Sequence, residues 1–259
     1  MPGLDGVDAV LLDLDGVVYV EDELLPGARE AVEALRAARK GMRFVTNTTA
    51  RSHGSTLEKL RGIGIELDSE ELITPAALAR RHCAAAGHHR VALIMNDDVK
   101  ADFADLEEAD DRVDAVIMGD LGEQFGFAIL NRAFRLVMEG AELVALQKNR
   151  FWLTADGLSL DAGPFVAAVE YATGFEAYVV GKPSPAFFEL VLADLAARPA
   201  AAAMVGDDIE TDIGGALDAG LAAVLVRTGK YRAEFVARSG IEPTATIDSI
   251  ADLPRLLGL

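Results

Sequence analysis

Two aspartates, Asp13 and Asp15, stand two residues apart at the end of the apolar run VLLDLDG, with Gly16 behind them. On a strand that spacing sends both carboxylates to the same side as the chain leaves the sheet. Held close, they repel each other unless a cation or a shared proton intervenes. One can then attack phosphorus while the other acts as general acid and afterwards as base. A DxD alone also suits a solvated turn, so its chemistry depends on what is brought beside it.

Three other segments supply that company. Asp207, Asp208 and Asp212 follow the apolar run AAMVG. Oxygen ligands of this kind suit Mg2+, which accepts one or two carboxylates, keeps several waters and takes up substrate phosphate. The same acids also suit the cap of a helix starting near Glu210. Asp207 is assigned to the metal, and Asp208 and Asp212 to orienting it. Lys182, between Gly181 and Pro183, can neutralise a phosphate and the charge developing on the nucleophile. Thr46 and Asn47, after MRFV, offer one hydroxyl and one amide to phosphoryl oxygens, or else cap a helix.

Other polar clusters carry less. Lys148 and Arg150 place two positive charges after ELVALQ in an acidic chain; they form either a specificity loop reading the leaving group or an ordinary solvated turn. His82, His88 and His89 lack a companion acid at a recognised metal spacing and read as a surface cluster at a helix end. Cys83 is the single cysteine, which excludes an internal disulfide and favours an intracellular, cytoplasmic setting.

Each chemical signature closes an apolar run, at about 8–12, 42–46, 177–181 and 202–206. Such runs read as buried parallel strands that deliver side chains to the carboxyl edge of a sheet, where ligands bind. Amphipathic segments alternate with them. In residues 26–41, Ala28, Ala31, Val32, Leu35 and Ala38 recur at helical spacing, with Pro26 in the first turn and Gly41 at the end. Further strands are expected at ELITP (71–75), 91–96, 114–119, 142–147 and 222–226, with helices at 127–140, 163–173 and 185–197. The fold class is α/β, a doubly wound parallel sheet with a Rossmann-like core. If all four signatures share one site, the residues between Thr74 and Val179 must leave the main sheet and return. The expected organisation is a core of residues 1–76 and 180–259 with an inserted α/β domain at 77–179.

In order, spacing and strand context, LLDLDG, FVTNTT, VVGKPSP and VGDDIETD resemble the haloacid dehalogenase superfamily, and the insert resembles its type IIA cap. The resemblance covers essentially the whole chain. It implies Mg2+ dependence and an aspartyl-phosphate intermediate on Asp13. It carries the magnesium to Asp13, the backbone carbonyl of Asp15 and Asp207, and the phosphate contacts to Thr46, Asn47 and Lys182. Dehalogenases of that superfamily lack the second aspartate, so Asp15 points to phosphate. The expected activity is a phosphatase acting on a small phosphorylated metabolite, with a monoester, P–N or pyrophosphate bond as the target. A phosphomutase using the same intermediate and a catalytically quiet binding protein stand as alternatives.

The net charge of −18 excludes a sequence-independent grip on nucleic acid and disfavours an anionic membrane surface. A phosphate site in such a chain must bring its own positive charge. No run approaches the ~18 apolar residues of a membrane span, and the N-terminal residues carry no basic signal-peptide pattern. Oligomeric state is left open, with a homodimer among the expectations.

Overall fold

The runs AVLLD (Ala9–Asp13), AAMVG (Ala202–Gly206) and AAVLV (Ala222–Val226) are buried at every position, as strands covered on both faces must be. The computed structural model, which describes Leu4, residues 6–154 and residues 157–259, joins them in an all-parallel six-stranded sheet. From one edge the order is Leu72–Ile73, Gly41–Val45, Ala9–Asp13, Ala202–Gly206, Ala222–Val226, Ala245–Ile247. Counted along the chain this is the doubly wound order 3-2-1-4-5-6. The order reverses between Ala9–Asp13 and Ala202–Gly206, where Leu12 pairs with Val205. The crevice beyond the carboxyl ends of those two strands is where such a sheet takes its ligand.

The helix Ala28–Ala37 buries Ala28, Ala31, Val32 and Leu35 of the expected stripe; Ala38 is exposed just past its end, and Gly41 opens the strand Gly41–Val45 instead of closing the helix. The four buried residues join Leu12, Phe44, Val205 and Val224 in one core that fixes the sheet's edge in place.

The chain divides into two compact units, one of Met1–Thr46, Leu57–Ile73 and Lys182–Leu259, the other of Asn47–Thr56 and Thr74–Gly181. The second unit has its own parallel sheet, in the order Glu107–Glu108, Arg90–Ile94, Ala115–Met118, Glu142–Ala145, Tyr178–Val179. The helices Phe127–Met138 and Ala162–Thr173 pack together, and Ile94, Val116, Leu143 and Val166 belong to that unit's core.

These boundaries differ from the sequence expectation. Residues 47–56, 74–76 and 180–181, expected in the core domain, belong to the second unit. Hydrogen bonds hold the first segment there. Asp98 accepts from the Ser52 N–H at 2.7 Å and from Ser55 Oγ at 2.9 Å. Asp102 accepts from the His53 N–H at 2.8 Å, and Asn96 Nδ2 donates to the Thr49 carbonyl at 2.9 Å. Several elements are also shorter or different from expectation. Only Leu72–Ile73 of ELITP is strand, because Ser69–Glu71 forms a 3-10 turn boxed by Asp68 and Glu71. The helix expected after Asp208 opens as a π-helix, Ile209–Gly214, before an α-helical turn at Gly215–Asp218. The antiparallel pairs Tyr19–Val20 with Glu23–Leu24, and Phe151–Thr154 with Gly157–Leu160, carry too little apolar alternation to be read in advance.

Candidate active site

Asp13 is the last residue of its strand, and its carboxylate is buried at the carboxyl edge. The Lys182 ammonium donates to Asp13 Oδ1 at 2.5 Å and to Asp212 Oδ1 at 2.6 Å. Its side chain is only 2 % exposed, so this cation is committed to the two acids rather than to water. Asp207 follows Gly206 on the neighbouring strand and completes the group. Asp13, Asp207 and Asp212 each offer an oxygen within 4.8 Å of the others.

Asp207 is held from one side only. Its Oδ2 accepts the Lys230 N–H at 2.7 Å, while its buried Oδ1 has no hydrogen-bond partner. Leaving a charged acceptor buried and unsatisfied costs at least the ~1–3 kcal/mol typical of a neutral group. Three carboxylates also face one buried ammonium, so negative charge is in surplus. Burial, then Asp13 and Asp212, push the Asp207 carboxyl up to about 8. Burial likewise raises Asp212 to about 6 in spite of its ion pair with Lys182. Burial alone would lower Lys182, but Asp13 and Asp212 outweigh it and hold the ammonium above its ordinary value. The two rises are consistent: the lysine satisfies itself fully, and the acids are left with more charge than it neutralises. A hard divalent cation such as Mg2+ fits this oxygen-only set, with Asp207 Oδ1 as a ready donor.

A family model described as haloacid dehalogenase-like hydrolase matches residues 10–107, and one described as HAD-hydrolase-like matches residues 179–253. The haloacid dehalogenase-like hydrolase domain-containing protein 2 of Homo sapiens is 41% identical over 249 residues, 96% of this chain and 95% of that protein. The chain belongs to the haloacid dehalogenase-like hydrolases. The phospholysine phosphohistidine inorganic pyrophosphate phosphatase of Homo sapiens is 35% identical over 260 residues, 98% of this chain and 95% of that protein. Among solved structures, a 4-nitrophenylphosphatase from Thermotoga maritima superposes with a TM-score of 0.90 at 26% identity, covering 97% of this chain and 98% of that one. A glycerol phosphate phosphatase from Mycobacterium tuberculosis, in complex with magnesium, superposes with a TM-score of 0.82 at 30% identity, covering 98% of this chain and 77% of that one.

In this hydrolase the sequence-predicted residues fall into four groups. Asp13, Lys182, Asp207 and Asp212 are brought into contact. Asp212 does more than orient a neighbour: it shares Lys182 with Asp13 and stands within the acid cluster itself. Asp208 stands beside the cluster as the cap of the π-helix. Its Oδ1 accepts from the Glu210 and Thr211 N–H groups at 3.0 Å, and its own N–H donates to Asp212 Oδ2 at 3.2 Å. Asp15 and Thr46 occupy the same sheet edge. Asp15 is exposed, whereas Thr46 is buried one residue beyond Val45, the pairing partner of Asp13. Asn47, Lys148 and Arg150 belong to the second unit. There Lys148 Nζ lies 2.6 Å from Glu170 Oε2, and the Arg150 guanidinium lies 5.7 Å from the centre of the Phe151 ring.

One segment of the hydrolase's site went unread in the sequence. Thr228 Oγ1 donates to the Gly16 carbonyl at 2.5 Å, tying the loop after Val226 to the loop after Asp13. Gly16 and Gly229 have φ of +84° and +59°, and a Cβ on either would come within 2.1 Å of Asp207 Oδ2. Only glycine fits both the backbone and the space. The TG pair just beyond the apolar run AAVLV was the available signal, but the group that matters there is the Lys230 backbone N–H, which every residue except proline carries.

Proposed function

We propose that this hydrolase is a Mg2+-dependent phosphatase that acts on a small phosphorylated metabolite through an aspartyl-phosphate intermediate on Asp13. The observation that carries the reading is the buried Asp13–Lys182–Asp212 chain beside an Asp207 oxygen without a hydrogen-bond partner, at the point where the strand order reverses. Asp13, the Asp15 carbonyl and Asp207 would hold the magnesium, which when bound supplies charge neutralisation to the phosphoryl group.

The chain's own residues divide the remaining work. Lys182 fixes Asp13 through Oδ1, which leaves attack on phosphorus to Oδ2, and it screens the charge that gathers there. The Thr46 hydroxyl holds a phosphoryl oxygen, and the sequence pattern adds the Asn47 amide next in the chain as a second donor. Asp15, exposed and therefore able to exchange protons with solvent, gives its proton to the departing ester oxygen as the phosphorus–oxygen bond breaks. It then takes a proton from the water that attacks the aspartyl phosphate, so that phosphate leaves and Asp13 is regenerated. A loose phosphoryl-transfer transition state needs positioning and charge neutralisation more than covalent push, which is what a rigid buried cluster provides.

The test is Asp13→Asn assayed for phosphate release from 4-nitrophenyl phosphate with magnesium, alongside circular dichroism. Turnover should vanish with the fold intact; retained activity would refute the assignment of the nucleophile. Stoichiometric free phosphate from the unaltered protein separates hydrolysis from transfer to a second hydroxyl. Chelation should silence the protein reversibly.

A further inference from the structure

His82 and His88 were expected to be a surface cluster without an acid, and in the fold an acid comes to them. His82 Nε2 lies 2.9 Å and His88 Nε2 lies 2.6 Å from the same atom, Glu142 Oε2. The acid is 60 and 54 residues away from the two histidines, so no local spacing announces it. All three belong to the second unit.

We propose that His82, His88 and Glu142 form a binding site for a divalent ion of the zinc class. Two imidazole nitrogens and one carboxylate oxygen lie within 4.8 Å of one another. Two histidines and a glutamate are a set that zinc accepts with a fourth position open to water, whereas magnesium prefers oxygen alone. A tetrahedral ion with bonds of about 2.0–2.1 Å spaces its donors roughly 3.3 Å apart, so the two nitrogen–oxygen pairs, now at 2.9 and 2.6 Å, need open only by about 0.4 and about 0.7 Å. On binding, any hydrogen at an imidazole Nε2 passes to solvent or to Nδ1, which frees the Nε2 lone pair for the ion, while Glu142 binds as the carboxylate. No redox change or co-reactant is involved.

The donors are supported by three different elements. The His82 ring stacks on Tyr178, with centroids 3.8 Å apart and planes 14° apart, which restrains its rotation. The helix Pro75–Ala86 ends at Gly87, with φ +76°, and the reversal lets the His88 N–H reach the Cys83 carbonyl at 2.8 Å. That turn swings His88 back toward the ring one and a half turns earlier in the chain. Glu142 opens the strand Glu142–Ala145 and is anchored by its N–H on the Asp114 carbonyl at 2.9 Å. Glu142 and Tyr178 each begin a strand, and His88 just precedes another. The cluster therefore sits at the amino end of the second unit's sheet, the end opposite its carboxyl edge. It is partly accessible, with side-chain exposures of 16% for His82, 18% for His88 and 34% for Glu142, enough for an ion to enter without unfolding. An ion here would clamp a helix, the turn after it and a strand start together.

The experiment uses the full, untagged chain stripped with chelator and titrated with Co2+, a spectroscopic stand-in for zinc, and then with Zn2+. A four-coordinate nitrogen–oxygen site gives Co2+ an intense visible absorption, while an all-oxygen octahedral site such as the acid cluster gives only a weak one. The expected result is an intense band that saturates at one equivalent and is bleached by Zn2+. Losing a ligand should weaken binding by more than the roughly 10–100-fold typical of changes to groups behind the ligands. His88→Gln and Glu142→Gln, each checked by circular dichroism, should therefore lose the band, and Asp207→Asn should keep it. A weak octahedral spectrum alone, or an intense band that survives both substitutions at unchanged affinity, overturns the proposal.

Discussion

At the scale of single residues, the site turns on how Asp207 is held. One backbone N–H grips its Oδ2, two glycines leave room for it, and its second oxygen is buried without a hydrogen-bond partner. Gly229 is the sharper constraint, because a Cβ there would lie 2.0 Å from Asp207 Oδ2 and 2.6 Å from the Gly16 Cα. A methyl group cannot be accommodated without moving both the carboxylate and the loop behind Asp15. Gly229→Ala should therefore raise the magnesium concentration for half-maximal phosphate release by about 10–100-fold, the range for disturbing the groups that orient a ligand. A magnesium titration of activity checks this, and an unchanged midpoint would show that Asp207 is not a ligand. The same residues mark what could be read in advance. Asp13, Lys182 and Asp207 were legible because each side chain closes an apolar run, and the pattern of strand ends puts them on one edge. The Lys230 N–H and the paired glycines were not, since their contribution lies in backbone and empty space. Glu142 was unreadable for another reason: its partners are 54 and 60 residues away and joined to it only by the fold.

At the scale of elements, the first turn after the Ala202–Gly206 strand shows how a cap serves a site. Asp208 satisfies two N–H groups at the start of the π-helix, and its own N–H turns toward Asp212. A π-helical turn is uncommon outside functional regions, and here it lets Asp212 fold back to reach Lys182. Asp208→Ala should remove the cap and cost about 0.5–2 kcal/mol of stability, measured by urea unfolding. The substitution leaves the backbone N–H to Asp212 in place, so the magnesium requirement should move much less than in Gly229→Ala. A large loss of metal affinity with unchanged stability would reverse that assignment and make Asp208 a ligand. The helical stripe of Ala28–Ala37 and the fully apolar strands were predictable from period and burial alone. The path of residues 47–56 was not, because Asp98 and Asp102 capture that segment through its backbone and hydroxyl groups, and such bonds leave no trace in apolar periodicity.

At the scale of the whole molecule, a chain with a net charge of −18 concentrates three buried acids in one place, and that has a thermodynamic signature. Asp207 and Asp212 are raised from an ordinary 3.8 to about 8 and about 6, mainly by burial. Both therefore bind protons more tightly folded than unfolded, the reverse of a carboxylate stabilised by its partners. Stability falls with rising pH wherever the folded state holds more protons. For the metal-free protein, both groups should erode stability between pH about 4 and about 6, Asp207 alone from there to about 8, and neither beyond. A divalent ion competes with those protons and supplies the positive charge they represent, so its stabilising effect should grow over the same window. Thermal midpoints measured with magnesium and with chelator should diverge as the pH is raised from about 5 to about 8. In Asp207→Asn, which cannot ionise at that position, the chelator curve should flatten above pH about 6 and the divergence should shrink. A gap between the two curves that stays constant across this range, or one that persists undiminished in Asp207→Asn, would mean that the buried acids are not where the ion acts.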